Sequence, residues 1–360
     1  MNRLTIAGLV LLLASCAGVL VDVRVFLACW LAAWWWCLGL LLGLLVNVWI
    51  HALTGGEWGR ALQPVAAALA RRMPWLLLGL LPIAIGSRVL YPWAAQPDGA
   101  WLHGIGQPQF LRIWLSTPFF LVRLIVYAAA WWWLARTVAP AKGRAAVALA
   151  IHAVLGSLAA VDLLASLAPG WFSTAFGVVV LSVQALAGAA AGVWAQPRRA
   201  PVRVPQDARV PPVSRDLGNL LLMWMLTWAY LAFMQFLIIW SEDLPREIAW
   251  YLPRLQTGWW WVGVALVVGQ LALPFAALLL RSVKDDPARL ARLAAWLLAM
   301  TALDAAWTVV PSVGPHSAAV WWLLPLTFAG LALALFGDAV SSTSQWLRHQ
   351  PVEEWRHAHP

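Results

Sequence analysis

The sequence has few charged residues, only 11% of the chain, whereas 62% of its residues are hydrophobic. Soluble domains carry roughly a quarter charged residues, and several apolar runs here reach the length of about 20 residues with which a helix crosses a bilayer. The runs are continuous, unlike the short alternating segments of a membrane β-barrel. The composition therefore excludes a soluble domain and predicts an all-α polytopic membrane protein.

The sequence also lacks the side chains that hold redox cofactors. Its three cysteines, Cys16, Cys29 and Cys37, form neither a CxxC nor a CxxCH pattern, so neither a disulfide framework nor a c-type haem is implied. A membrane b-type haem needs axial histidines, and of seven histidines only His152 lies securely within an apolar run. There is no iron–sulfur, metal or nucleotide-binding motif. The sequence predicts a chain that binds no cofactor and no metal of its own.

The amino terminus allows two interpretations. MNRLTIAGLVLLLASC has the basic start and short apolar core of a signal peptide, and its last four residues match a lipoprotein cleavage box. The apolar run nevertheless continues through residues 17–21, where a mature lipoprotein usually has a polar tether. We therefore expect an uncleaved first helix, and lipidation at Cys16 is the alternative.

Hydropathy windows of about 20 residues place ten helices in the chain. They are predicted at 4–21, 26–50, 66–90, 114–136, 144–166, 172–195, 217–240, 258–281, 290–311 and 317–338. With ten spans, 18 of the 24 Lys and Arg residues fall on the side that holds both termini, and five fall on the other side. Because Lys and Arg stay in the cytoplasm, both termini are predicted inside. This orientation explains the net charge of +9 without nucleic acid as a partner.

Two features suggest how the chain is divided. The segment 196–215 is rich in proline and basic residues and is predicted to be a cytoplasmic linker. Asp162 and Asp304 each lie seven residues before a proline near a helix end, which suggests two parallel four-helix repeats. The predicted units are a flanking helix at 1–24, four-helix bundles at 25–170 and 171–312, and a last flanking helix with a cytoplasmic tail at 313–360.

Ionisable side chains at membrane depth are candidate functional groups, because a charge is costly to place in a bilayer. The candidates are Asp162, Asp304 and Arg123, with Gln235 as a polar neighbour. Arg123 lies on the antiparallel neighbouring helix, from which a long side chain can reach Asp162. Three roles are possible for such a cluster. It is a buried ion pair that joins two helices, a route for protons, or a direct contact for a quinol. In the last case a protonatable Asp accepts the hydrogen bond of the quinol hydroxyl.

Several different motifs are spread along the chain from the third to the ninth predicted helix. They are DLGNLLLMWMLTWAYLAFMQFLIIW at 216–240 with LPRE at 244–247, DLLASL at 162–167, WFSTAFG at 171–177, LYPW at 90–93, PFFLVR at 118–123, LPF at 273–275, and the spaced residues Asp304, Trp307 and Pro311. Together they resemble a membrane subunit of bacterial alternative complex III, quinol:cytochrome c oxidoreductase quinone-binding subunit 2, within the polysulfide-reductase membrane-subunit superfamily.

The resemblance implies ten helices, arranged as two four-helix bundles with two flanking helices, in a bacterial inner membrane. It implies a cofactor-free subunit that supports quinol oxidation, with proton transfer as a candidate role. The quinol is then a substrate of the complex, and haem and iron–sulfur groups belong to partner subunits in the membrane and the periplasm. Its motifs point to Arg123, Asp162 and Asp304, with Gln235 as a lesser neighbour. The sequence departs from the family at Asn219, where Lys is usual.

The loop after the seventh predicted helix gathers charge in a chain that otherwise avoids it. Its candidates for docking a periplasmic electron-carrying subunit are Glu242, Asp243, Arg246 and Glu247, and a solvated loop is the alternative. Asp243 is expected to cap a short helix that starts with Pro245. The apolar residues that follow are expected among the lipid headgroups: Ile248, Trp250, Tyr251 and Leu252.

Two other functions fit the same composition. One is an accessory or assembly subunit of a terminal oxidase, which keeps the fold without using the buried acids. The other is a stand-alone transporter or proton channel. Transporters often break helices near the middle of the membrane, and the prolines here cluster mostly at the ends of the predicted spans, which counts against this alternative.

Overall fold

The computed structural model describes residues 2–102, 108–196, 213–314 and 317–349. These residues form helices and no strand. Eight helices in the described part are long and apolar enough to cross a membrane, and a bent pair makes a ninth if it is one span. An all-α polytopic membrane protein is therefore confirmed, whereas the predicted count of ten spans is not.

The helices follow one another with short connections. They are α1 Arg3–Cys16, α2 Gly18–Thr54, α3 Trp58–Ala70, α4 Met73–Leu78, α5 Leu81–Ile85, α6 Ser87–Leu90, α7 Pro92–Ala95, α8 Pro108–Trp114, α9 Thr117–Leu134, α10 Lys142–Leu163, α11 Phe176–Trp194, α12 Val213–Glu242, α13 Pro245–Ile248, α14 Leu252–Leu255, α15 Trp259–Leu266, α16 Leu273–Leu279, α17 Arg281–Lys284, α18 Pro287–Val309 and α19 Val320–His349. A π-helix at Val267–Ala272 joins α15 to α16, and 3₁₀ turns lie at Ala100–Leu102, Ala165–Leu167 and Val310–Ser312.

The first two predicted helices are separated at Asp22, where the backbone leaves the helical region with φ −158° and ψ 101°. The Asp22 carboxylate accepts hydrogen bonds from the backbone N–H groups of Arg24 and Val25, at 2.9 and 3.1 Å. It therefore caps the long second part of α2 in the way that Asp commonly caps helices. The expected boundary between the first two helices lies at this residue.

The third predicted helix, 66–90, is wrong as a continuous span. α3 ends at Ala70, and the following segment Met73–Ile85 is bent by 51° from it. Pro74 and Pro82 each stand in the first turn of a new short helix. Proline lacks the backbone N–H and its ring collides with the preceding turn, so each new helix starts there instead of continuing the last one.

The centre of the molecule is the crossing of α2 and α11, the two most completely buried spans. A Cβ on Gly43 would lie 1.6 Å from the carbonyl oxygen of Gln184, and a Cβ on Gly188 would lie 1.9 Å from the backbone nitrogen of Leu44. Gly43 and Gly188 each belong to a GxxxG pattern, 39–43 on α2 and 188–192 on α11. Such patterns let two membrane helices approach until their backbones touch, and here the helices run in parallel.

The other spans are arranged around this pair. α10 and α18 each pack against both α2 and α11, while α3 lies beside α2 and α12 lies beside α11. α9 then packs on α10, and α15 packs on α18. α1 and α19 run antiparallel at one flank, where Gly8 and Gly330 bring their backbones together. The predicted unit boundaries at 24, 170 and 312 stay predictions, and residues 197–212 of the predicted linker and the tail after 349 lie outside the described residues.

We predict that the α2–α11 crossing tolerates no side chain at its glycines. Gly43→Ala and Gly188→Ala should each lower the free energy of unfolding by about 3 kcal/mol, the upper end of the cost of overpacking. The measurement is the fraction of purified protein that stays monodisperse after heating in detergent. The matched control is Gly143→Ala in α10, whose Cβ would meet no atom within 4 Å; equal losses in all three variants would contradict the prediction.

Candidate functional site

Asp162 and Arg123 form a buried ion pair between α10 and α9. Arg123 donates from Nε to Oδ2 of Asp162 at 2.6 Å and from Nη2 to Oδ1 at 3.2 Å. Tyr127 donates to Oδ2 at 2.5 Å and Trp114 donates to Oδ1 at 3.0 Å. The Asp162 side chain is 0% exposed and that of Arg123 is 8% exposed. The predicted reach of Arg123 to Asp162 is therefore seen in the structure.

Aromatic side chains pack against the ion pair of Asp162 and Arg123. The guanidinium of Arg123 lies over the rings of Trp114 and Phe119, 4.3 and 4.6 Å from their centroids. Tyr91 donates to the carbonyl of Leu163 at 3.0 Å. The carboxylate thus accepts four hydrogen bonds and faces an opposite charge, which is the arrangement that stabilises a buried ion pair. Of the three roles considered for the cluster, the geometry favours the ion pair that joins two helices.

Asp304 lies in different surroundings, on α18. This helix begins where Asp286 accepts hydrogen bonds from the N–H groups of Ala288 and Arg289 and Pro287 occupies the first turn, and it ends shortly before Pro311. Asp304 is buried, yet no hydrogen bond or ion pair reaches its carboxylate from any residue that the structure describes. A buried acid without a partner is uncommon, because an unpaired charge is costly to desolvate.

Asp304 lines a cavity of about 560 Å³ enclosed by α2, α11, α12, α15, the π-helix and α18. Most of the wall is apolar or aromatic. The aromatic side chains are Trp35, Trp36, Phe176, Trp228, Phe233, Phe236, Trp250, Trp260 and Trp307, and the polar ones are Gln184, Gln235, Tyr251, Arg254, Thr301, Asp304 and Thr308. A cavity of this size with a few convergent polar groups is typical of a small-molecule site.

The loop between α12 and α15 folds back to form one end of the cavity. Trp250 is buried and stacks on Trp171, with ring centroids 4.9 Å apart and planes at 18°. Tyr251 is buried beside it. The expectation that Trp250 and Tyr251 anchor the loop in lipid headgroups was wrong for both residues, because their rings pack against the protein. Leu252, by contrast, is exposed.

Arg254 fixes this loop to the carboxyl end of α18. It is fully buried and donates to the carbonyls of Trp250, Trp307 and Thr308 and to the hydroxyl of Ser312. Its guanidinium also lies 3.4 Å from the ring centroid of Trp250. The carbonyls at a helix carboxyl terminus carry partial negative charge and suit a cation. Arg254 therefore lies inside the protein although it belongs to this charged loop.

The four docking candidates in this loop separate into two groups. Glu242 and Asp243 are exposed. Asp243 has φ +50° and does not cap α13, since Leu244 occupies the cap position without a side-chain hydrogen bond; the expected cap was wrong, although Pro245 does start the helix. Arg246 is half-buried and donates to the carbonyl oxygen of Gly170 at 2.6 Å, and Glu247 is also half-buried.

Gln235 joins Asp304 at the cavity. It accepts a hydrogen bond from Ser173 at 3.2 Å and donates to the Tyr251 hydroxyl at 3.3 Å. The four candidate residues from the sequence thus fall into two places: Asp162 with Arg123, and Asp304 with Gln235. The sequence reasoning missed Tyr251 and Arg254 at the cavity, and it gave Gln184 no role. A glycine pattern on α11 beginning four residues after Gln184 is the signal that could have placed Gln184 at the central crossing.

The described residues contain no group of three or more His, Cys, Asp or Glu side chains placed to hold a metal ion. His152 is buried against Trp49, with ring centroids 6.0 Å apart, and neither of its ring nitrogens has a hydrogen-bond partner in the described part. No protein-family model matches the chain, and no curated protein matches it significantly. The resemblance to the alternative complex III subunit therefore stays a prediction.

We predict different effects on stability when the two buried acids are replaced. Asp162→Asn leaves Arg123 buried without an opposite charge and should lower the free energy of unfolding by about 3–5 kcal/mol. Asp304→Asn loses no partner and should leave stability unchanged or higher. The measurement is thermal unfolding in detergent. The double variant Asp162→Asn/Arg123→Gln, which removes both charges, should recover part of the loss; a larger loss in Asp304→Asn than in Asp162→Asn would contradict the assignment.

Proposed function

We propose that the chain is a cofactor-free membrane subunit of a respiratory quinol:electron-acceptor oxidoreductase, in which Asp304 accepts and passes on a proton released by quinol oxidation. The observation that carries the proposal is the unpaired Asp304 carboxylate in the wall of a large cavity. Oxidation of a quinol releases two protons and two electrons. The electrons go to haem or iron–sulfur groups of partner subunits, and the residues of this chain handle protons.

A group that transfers protons must exist in both protonation states within its site. Asp304 meets this requirement, because no fixed cation in the described residues holds it in the ionised form. Asp162, by contrast, is fixed by hydrogen bonds from Arg123, Tyr127 and Trp114. The proposal therefore assigns the proton role to Asp304 and a structural role to Asp162.

Other polar groups line the same cavity as Asp304. Toward the loop, Tyr251, Gln235 and Ser173 form a chain of hydrogen bonds that starts at the cavity and ends at a half-buried hydroxyl. Deeper along the α2–α11 crossing, Gln184 lines the cavity, and Asn47 donates to the carbonyl of Ala185 at 3.0 Å. With ordered water between them, such groups can pass protons toward or away from the acid.

One observation favours the alternative of a transporter. The third helical region is broken by 51° between α3 and α4, and the span Trp259–Leu279 contains the π-helix in its middle. Discontinuous helices near the membrane midplane are typical of transporters. Pro274 and Pro325 lie within spans, whereas the sequence predicts that the prolines cluster mostly at span ends.

We predict that Asp304→Asn in the assembled complex lowers quinol turnover at least about 100-fold, the usual contribution of a general base. Asp304→Glu, which keeps the carboxyl, should retain a measurable part of the rate. The measurement is the steady-state rate of quinol oxidation by membranes that contain equal amounts of assembled complex. Asp98→Asn, a change at an exposed acid, is the control. Full turnover in Asp304→Asn would remove the proton role and favour the accessory subunit.

We also predict that the chain is isolated together with subunits that carry c-type haem or iron–sulfur groups when native membranes are gently solubilised. Glu242→Gln/Asp243→Asn should reduce their recovery, because both acids are exposed at the same loop. Asn tolerates the positive φ at position 243, so the backbone should be kept. The measurement is haem and iron per mole of the tagged chain. Recovery of the chain alone would contradict the proposed complex and leave the transporter.

A further inference from the structure

We infer that the cavity beside Asp304 binds an amphiphilic organic cation, a quaternary ammonium or protonated amine carried directly on an apolar tail, with its charge against the Asp304 carboxylate. This class of ligand differs from the quinol of the proposed function, because it carries a positive charge and needs no ring hydroxyl. The geometry of the cavity carries the binding site, and only the effect of the ligand on turnover rests on the proposed function.

Asp304 gives the cavity its negative charge. It is the only acid among the described residues of the wall and is 8% exposed, and no hydrogen bond or ion pair reaches its carboxylate from the described part of the chain. An unpaired carboxylate inside a membrane protein is costly to desolvate. An organic cation beside it offsets that cost by pairing the two charges, which no uncharged ligand does.

Three other unpaired polar atoms of the wall are closed off by the protein. The indole nitrogens of Trp250 and Trp307 and the Oε1 atom of Gln184 are all buried without a partner among the described residues. The nitrogen of Trp307 packs against α15, where a Cβ on Gly263 would lie 3.4 Å from it. A ligand in the cavity therefore meets the carboxylate of Asp304 rather than these three atoms.

Aromatic rings line the same wall and suit a cation. Ten aromatic side chains line the cavity, and six of them are tryptophans. Trp307 follows Asp304 by three residues on α18, so both lie on one face of the helix. Thr301 precedes Asp304 by three residues and accepts a hydrogen bond from the indole of Trp36 at 3.1 Å. Tryptophan binds cations better than the other aromatic rings do, most strongly where water is excluded.

Arg254, the only basic side chain among the described residues of the wall, leaves Asp304 available. It donates to three carbonyl oxygens and one hydroxyl at the loop end of the cavity. Its guanidinium also lies 3.4 Å from the ring centroid of Trp250. These oxygens and this ring stabilise the charge of Arg254 where it is. A cation from outside therefore pairs with Asp304 without displacing an existing partner.

A bare metal ion suits the cavity less well than an organic cation does. Hard cations such as Ca²⁺ take about six or more oxygen ligands, and no group of three or more His, Cys, Asp or Glu side chains in the described residues could hold a metal ion. A quaternary ammonium needs no ligating oxygen. The volume of about 560 Å³ also lies within the range of about 300–1,000 Å³ of small-molecule sites.

The mouth of the cavity provides a place for the apolar tail. Phe233 on α12 and Val267 on the π-helix both line the cavity, and both are 59% exposed. They lie well inside the candidate spans Val213–Glu242 and Trp259–Leu279, so the opening between them meets the hydrocarbon of the membrane. An amphiphilic cation dissolved in lipid reaches Asp304 through this opening, and its tail stays in contact with lipid.

The test is binding of three probes with the same decyl tail to the purified full chain in a non-ionic detergent, measured by native mass spectrometry. Decyltrimethylammonium carries the positive charge. Decyldimethylphosphine oxide is uncharged and accepts a hydrogen bond, so it reports binding to a protonated acid. Decylphosphocholine carries the same cation behind a phosphate, as a phospholipid head does.

We expect one decyltrimethylammonium per chain. The other two probes should bind at least about tenfold more weakly, because the phosphine oxide has no charge and the phosphocholine would bring a phosphate into the apolar mouth. Equal binding of the phosphine oxide would overturn the inference. Equal binding of the phosphocholine would overturn the assignment to a free amphiphile and indicate a lipid head group instead.

Variants at the cavity locate the site. Asp304→Asn should reduce the binding of decyltrimethylammonium to that of the phosphine oxide, whereas Asp304→Glu should keep the preference for the cation. Ala232 lines the cavity, and Ala232→Trp should fill it and abolish binding. Leu226 lies on the same helix, is 42% exposed and does not line the cavity, so Leu226→Trp is the control. Undiminished binding of the cation by Asp304→Asn overturns the inference.

The effect on turnover separates this inference from the proposed function. A cation that holds Asp304 in the ionised form prevents it from accepting a proton, so decyltrimethylammonium should inhibit quinol oxidation by the assembled complex and the phosphine oxide should not. Binding of the cation without inhibition refutes the proton role alone. Absence of binding, with turnover still lost in Asp304→Asn, refutes this inference alone.

Discussion

The close crossing of α2 and α11 is the constraint on which the rest of the structure depends. Lipid is as apolar as the helix surfaces, so helices in a membrane are not driven together by the hydrophobic effect and rely on tight packing and hydrogen bonds. Glycines at 43 and 188 let the two backbones meet. Asn47 then donates across the crossing to the carbonyl of Ala185. Because α10 and α18 both rest on this pair, the crossing sets the position of both buried acids.

The two acids show how environment separates residues that the sequence makes look alike. Both stand seven residues before a proline near the end of a long helix. Asp162 is surrounded by donors from α8 and α9, and its charge is balanced by Arg123. At Asp304 the described residues supply no such donors, and a cavity occupies the adjacent space. One acid joins two helices, and the other lies in the wall of a cavity.

Much of the helical framework could be predicted from the sequence, because apolar runs and their flanking charges report directly on membrane spans. The break at Asp22 and the reach of Arg123 to Asp162 were also predictable, since each depends on residues close in sequence or on neighbouring helices. The break near Pro74 was missed because a window of about 20 residues averages over Arg71 and Arg72, which interrupt the apolar run there. The cavity could not be predicted, because it arises where six elements distant in sequence fail to fill the space between them.

The burial of residues in the loop after α12 also could not be predicted from the sequence. Trp and Tyr beside charged residues at the end of an apolar run are typical of a membrane interface, and only the tertiary structure shows that Trp250 and Tyr251 turn inward. Arg254 is buried in the same loop. Its burial depends on carbonyls from residues 307 and 308, more than fifty positions away, and no local pattern contains that information.

The anchoring of Arg254 has a mechanical consequence. The exposed acids Glu242 and Asp243 begin a run of chain through α13 and α14 that ends at Arg254. Arg254 donates a hydrogen bond to the carbonyl oxygen of Thr308, which lies about one helical turn from Asp304 on the same helix. The buried guanidinium thus ties the position of this charged loop to the carboxyl end of the helix that carries the acid.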